Sequence, residues 1–171
     1  FELLAQKHFE KDDASPAHTC AFSVARKTVL YGGEARPLLL VAVRGTNAGE
    51  WYSNFDVSPA EDPEAPFAGN FLLCAKDALE TLREYAEEEE PPLFLLCGHS
   101  RGAACANLLG LLVNRDYGTE NTFVYTFATP ATIRGNARYK TYPNIFNLIN
   151  PCDLVPQVPL SGWGYGRAGT D

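Results

Sequence analysis

The sequence predicts an α/β protein built on a mostly parallel central sheet. Two observations carry this prediction. Four apolar stretches rich in β-formers recur along the chain: PLLLVAV (37–43), LFLLC (93–97), TFVYT (122–126) and NIFNLI (144–149). Helical patterns at 70–90 and 101–116 lie between them, and alternation of buried strands with helices is the signature of a parallel sheet with helices packed on it. The 171 residues, 46% of them hydrophobic, suffice for one domain with a real core, and no internal repeat or second domain is visible.

The elements follow in order. FELLAQKHFEKDDA (1–14) is expected to form a short N-terminal helix that stops before Ser15-Pro16. HTCAFSVARKTVLY (18–31) alternates and carries β-branched residues, so it reads as a strand ending in a turn at Gly32-Gly33. PLLLVAVRGT is a continuous apolar run suited to a central strand buried on both faces. NAGEWYSNFDV is a short helix or loop, and SPAEDPEAP is an acidic, proline-rich loop. In the next segment Phe71, Ala75, Ala78, Leu82 and Tyr85 share one helical face, with Lys76, Asp77, Glu80, Arg83 and Glu84 elsewhere. Its acid run, Glu87 to Glu90, meets the negative end of the helix dipole and is expected to fray before Pro91-Pro92. LFLLCGHS, RGAACANLLGLLVNRD, TFVYTFATP and NIFNLIN then read as strand, helix, strand and strand. The tail after Pro151 is glycine-rich (Gly162, Gly164, Gly166), as suits a mobile segment.

The net charge is −7 and no Lys/Arg cluster occurs, which argues against nucleic acid as a partner. No apolar run approaches a membrane span, and no signal peptide is visible. Neither a metal-ligand cluster nor a phosphate loop occurs, so no cofactor and no metal are implied. The five cysteines are unpatterned; Cys97 and Cys105 are expected as buried thiols. These features lean towards a cytoplasmic protein.

Gly98-His99-Ser100-Arg101-Gly102 fits G-x-S-x-G, at the required junction of a buried strand and a helix. Such a turn strains the serine backbone and crowds its neighbours, which explains glycine at 98 and 102. Ala103, Ala104 and Ala106 let the helix close on the sheet. Ser100 Oγ then projects at the positive end of a helix dipole, and the Arg101 N–H is placed to stabilise an oxyanion. The alternative is a serine that only caps the helix. His99, inside the tight turn, is expected as a structural or pocket-wall residue hydrogen-bonded beneath the loop.

Four ordered segments between Val41 and Leu160 resemble the class 3 lipases, the fungal-lipase-like branch of the α/β-hydrolases. VAVRGTNAGEWYSNFD resembles their R-G-[ST] segment and GHSRGA their elbow. TFATP resembles their strand ending in T-F-[GA]-x-P, and NLINPCDLVPQVPL their D-x-V-P stretch. The resemblance implies an α/β-hydrolase fold and a serine hydrolase of lipid or other esters, met at a membrane or lipid-droplet surface. It implies Ser100 as nucleophile and Asp153 as the acid that orients a histidine. An Asx-turn after Pro151 is the other reading of Asp153. Thr46 would give the second oxyanion N–H. Trp51, Tyr52 and Phe55 occupy the place of a lid; they either open at a lipid interface or simply pack on the domain.

The chain departs from the family pattern twice. Arg101 stands where the family usually has Leu, and would ion-pair, favour a polar head group or shield the site. The family's histidine follows the aspartate, whereas His8, His18 and His99 all precede Asp153. The expectation is a single α/β-hydrolase domain over 1–171 that lacks the segment carrying the catalytic histidine. The competing reading is an incomplete hydrolase relative that binds a lipid or a protein; a peptidase or thioesterase is a third, disfavoured by the R-G-T and D-x-V-P segments.

Overall fold

The structure is a computed structural model, and it describes residues 1–8, 21–45, 69–86, 91–135, 141–159, 162 and 164–171. Its elements in chain order are β1 (Glu2–Lys7), β2 (Phe22–Tyr31), β3 (Glu34–Val43), α1 (Gly69–Arg83), β4 (Leu93–His99), α2 (Arg101–Tyr117), β5 (Thr122–Phe127), β6 (Ile133–Arg134), β7 (Ile145–Leu148) and β8 (Tyr165–Gly166). The main sheet has the order β1-β2-β3-β4-β5-β7. Its first three strands are antiparallel and β3, β4, β5 and β7 are parallel.

The expected N-terminal helix is a strand where the structure describes it. Its Glu, Leu, Ala, Gln and Lys are good helix formers, but β1 pairs along β2, and Leu4 and Ala5 pack against the core. Tertiary pairing overrides local propensity there. Residues 9–14 of that segment lie outside the described residues, as do the acid run 87–90 and the loop 58–66. The hairpin joining β2 to β3 turns on Gly32 and Gly33 alone, with φ of 62° and 91°. Two consecutive positive φ values make a type I′ turn, whose twist matches the strands it joins.

The pairing register explains where the core sits. Phe22, Val24, Leu39, Val41, Phe94, Leu96, Val124 and Ile145 fall in register across β2 to β7 and are buried together. Helix α1 buries Phe71, Cys74, Ala75, Ala78 and Leu82 in the same core, as its periodicity predicts. It ends at Arg83, ahead of Tyr85, whose hydroxyl donates to the Leu4 carbonyl. Helix α2 lies over β4 and β5, with Ala103, Ala104 and Ala106 fully buried. Each large side chain so buried contributes roughly 2 kcal/mol from its apolar surface.

The strands are not equally buried on both faces. Tyr125, Phe127, Phe146 and Leu148 are exposed on the opposite face, although Tyr125 and Phe146 stack at 5.2 Å. The described helices contribute to one continuous core on the other face. In β3 Leu39, Val41 and Val43 are buried, whereas Leu38 and Leu40 are half-buried and Ala42 exposed, which corrects the expectation of a β3 strand buried on both faces. The glycine-rich tail is also not loose. β8 pairs with β6, Ala168 is fully buried, and Thr170 bridges to Phe146 beside the edge strand.

Candidate active site

The site forms at the carboxyl end of the parallel strands. Val43 pairs with Gly98, and His99 aligns with Phe127 and Phe127 with Leu148. Arg44-Gly45, Ser100 and the loop carrying Asp153 therefore leave the sheet at one edge, where open α/β sheets place their ligands. Ser100 and Asp153 follow strands separated by β5. Two strand spacings are about 10 Å.

Ser100 joins β4 to α2 with φ 56° and ψ −124°. A left-handed φ at a non-glycine residue costs about 1–3 kcal/mol, and here surrounding bonds impose it. The Ser100 N–H donates to the Phe127 carbonyl at 2.9 Å, and the Ser100 carbonyl accepts from Ala103 and Ala104. The two glycines make the turn possible. A Cβ on Gly98 would stand 2.3 Å from the Gly102 carbonyl oxygen, and one on Gly102 would stand 2.4 Å from that of Val43. The Ser100 side chain makes no capping bond to α2, so it is not a helix-capping serine.

Arg101 opens α2, at the positive end of the helix dipole. Its side chain is buried and runs towards α1, where Nη2 donates to Cys74 Sγ at 4.0 Å. Of the ion-pair, head-group and shielding readings of Arg101, this inward direction disfavours the head-group one. His99 is exposed at the end of β4, in register with Phe127. Strand alternation turns it away from the face that α2 covers, which leaves the pocket-wall reading open. Cys97 and Cys152 are free thiols, and burial pushes the Cys97 thiol up, away from reactive thiolate.

Asp153 is half-buried five residues beyond β7. Its Oδ1 accepts the Val155 N–H at 2.9 Å, and its own N–H donates to the Asn150 carbonyl. The Asx-turn reading is thus realised. A carboxylate has about four lone-pair sites, so one bond to Val155 fixes its orientation and leaves capacity for a second partner.

A buried polar network links the elements that carry Ser100 and Asp153. Asn107 on α2 donates to Asn147 Oδ1 on β7 at 2.9 Å, and Thr126 on β5 donates to the same oxygen at 2.7 Å. Thr129 donates to Thr126 Oγ1 at 2.6 Å. Asn107 also pairs with the Ala168 backbone in both directions, at 3.0 Å each. Sequence reasoning passed over these residues. Their signal was a single polar residue inside an otherwise apolar element, as in IFNL and ACANLL.

Thr46 and the lid candidates Trp51, Tyr52 and Phe55 lie outside the described residues, as do His18 and Cys20. Among the described residues no cluster of His, Cys, Asp or Glu could hold a metal ion, and no helix is long and apolar enough to cross a membrane.

The sequence matches the family described as Lipase (class 3) over residues 40–163. The chain belongs to the class 3 lipases. Within this family it is 30% identical over 106 residues to the secreted mono- and diacylglycerol lipase A of Penicillium cyclopium, covering 60% of this chain. The class 3 lipase chain spans 34% of that relative's length. Its fold is the α/β-hydrolase fold. The triacylglyceride lipase of Rhizomucor miehei superimposes with a TM-score of 0.70 at 19% identity, over 96% of this chain and 63% of that one. The lipase of Rhizopus microsporus var. chinensis gives a TM-score of 0.70 at 19% identity, over 95% and 57%. The expectation of a cytoplasmic protein is corrected by the Penicillium relative, a secreted lipase. The unpatterned cysteines had suggested otherwise.

Proposed function

We propose that this class 3 lipase chain carries the nucleophile and the acid of a secreted serine hydrolase of acylglycerols or related lipid esters. Ser100 attacks the ester carbonyl. The backbone N–H groups of Arg101 and Thr46 receive the oxyanion, each donor being worth about 3 kcal/mol of barrier. Asp153 orients a histidine that takes the Ser100 proton and returns it to the leaving alcohol, and water then releases the fatty acid. Trp51, Tyr52 and Phe55 belong to the lid over this site. The observation that carries the reading is the strained Ser100 backbone between two sterically required glycines. The name of the Penicillium relative supports both the substrate class and secretion.

One observation favours a second reading. No histidine follows Asp153 in the 171 residues, and His99 is exposed at the end of β4. We propose that the base comes from chain beyond these residues; a non-catalytic lipid- or protein-binding relative is the alternative. A fluorophosphonate probe on the full chain distinguishes them by intact mass. One adduct, located at Ser100 and lost in Ser100→Ala together with ester hydrolysis, supports the hydrolase. Absence of any adduct on folded full-length protein overturns it in favour of the binding module.

A further inference from the structure

We infer that Arg167 is a positioning residue that sets the Asp153 carboxylate relative to Ser100. The inference rests on the reading of Asp153 as the orienting acid. Arg167 lies in the glycine-rich tail, yet its side chain is only 13% exposed. Nη1 donates to the Thr129 carbonyl at 2.6 Å and to the Pro156 carbonyl at 2.9 Å. Nε and Nη2 form a bidentate pair with Asp171, at 2.7 and 3.2 Å. Four of the five guanidinium donors are thereby used.

The two carbonyls lead to the two reacting positions. Pro156 sits in the short 3-10 turn Val155–Gln157, whose first N–H holds Asp153 Oδ1. Thr129 follows β5 by two residues, and Phe127 at the end of β5 holds the Ser100 N–H. A single planar cation therefore spans the turn that aims the acid and the strand end that holds the nucleophile. Asp171 fixes that cation in place. Its Oδ1 also accepts from Asn147 Nδ2 at 3.2 Å, which ties the pair to the buried network on β7. The fork geometry matters. A lysine carries the same charge on three donors without a rigid plane, so it cannot reach both carbonyls and grip Asp171 bidentately. Arg167 touches neither substrate nor the reacting atoms in this account, and acts through Asp153.

A double-mutant cycle in the full chain tests this, with kcat and KM on a soluble p-nitrophenyl ester and the melting temperature as readouts. Arg167→Ala is expected to lower kcat by about tenfold with KM changed less than about twofold, and Arg167→Lys to restore only part of the loss. In an Asp153→Asn background the same substitutions are expected to change kcat by less than about twofold, because the group they position is gone. Equal losses in both backgrounds would mean that Arg167 is merely structural and would overturn the inference while leaving Asp153 in its role. If Asp153→Asn by itself leaves kcat intact, the reading of Asp153 fails first. If Arg167→Ala does not fold, Arg167→Lys decides by the same comparison, and an unchanged kcat in it overturns the inference.

Discussion

A Cβ placed on Gly102 would stand 2.4 Å from the carbonyl oxygen of Val43, so α2 begins in direct backbone contact with the end of β3. Both obstructing groups, at Val43 and Arg44, are backbone and cannot swing aside. Gly102→Ala is therefore expected to force the elbow off the sheet, at a cost of about 2 kcal/mol or more. Urea unfolding measures this; an unchanged midpoint would show that the contact is soft.

Ser100 holds a φ of 56° that glycine adopts without strain. Replacing it by glycine relieves about 1–3 kcal/mol of strain and loses about 0.5–1 kcal/mol to added freedom of the unfolded chain. Ser100→Gly is thus expected to unfold at a higher urea concentration than Ser100→Ala, with ester hydrolysis absent from both. A glycine variant less stable than the alanine variant would argue against stored strain.

Asn107 has two donor bonds and one acceptor bond in the buried network. Asn107→Leu removes them and strands the Ala168 N–H, with an expected loss of about 3 kcal/mol. Thermal unfolding tests it. A loss no larger than that of an exposed site, such as Leu73→Asn, would mean that the network adds nothing.

Asp116 joins the ends of both helices' outer faces by accepting hydrogen bonds from Arg115 and Arg83. The Arg115 bond first, and then Arg83, hold its carboxyl below the usual range against some opposing desolvation. The folded state thus binds a proton less readily than the unfolded chain. The contribution is fully present above about pH 4 and is lost as pH falls further. Both arginines are well exposed, so it is only about 0.5 kcal/mol. Asp116→Asn should melt lower than the parent at pH 7, and the difference should shrink as pH falls below about 4. A difference that persists in acid would assign the effect to packing.

Much of the fold was legible because its signals are local. The stripe through Phe71, Ala75, Ala78 and Leu82 has one period, and the apolar runs of β3 and β4 admit few other structures. The glycine pair around Ser100 is legible because only that turn demands it. What escaped depends on partners far away in the chain. β1 is a strand because β2 accepts it as one. Arg101 runs inward because Cys74 and α1 lie there. Arg167 sits among glycines that suggest mobility, and its bonds to the carbonyls of Thr129 and Pro156 on two other loops hold it in place.

The contact between Gly102 and Val43 also orders events in time. The β2–β3 hairpin is local, closed by a two-residue turn, and can form early. Pairing of β3 with β4 joins residues distant in sequence and pays a larger loop-closure entropy. Until that pairing is made, nothing presses on the start of α2, and the Phe127 carbonyl that grips Ser100 N–H waits on β5 as well. The strained Ser100 turn is set only by the assembled sheet. A chain caught part-way through folding would carry the same serine in a relaxed turn.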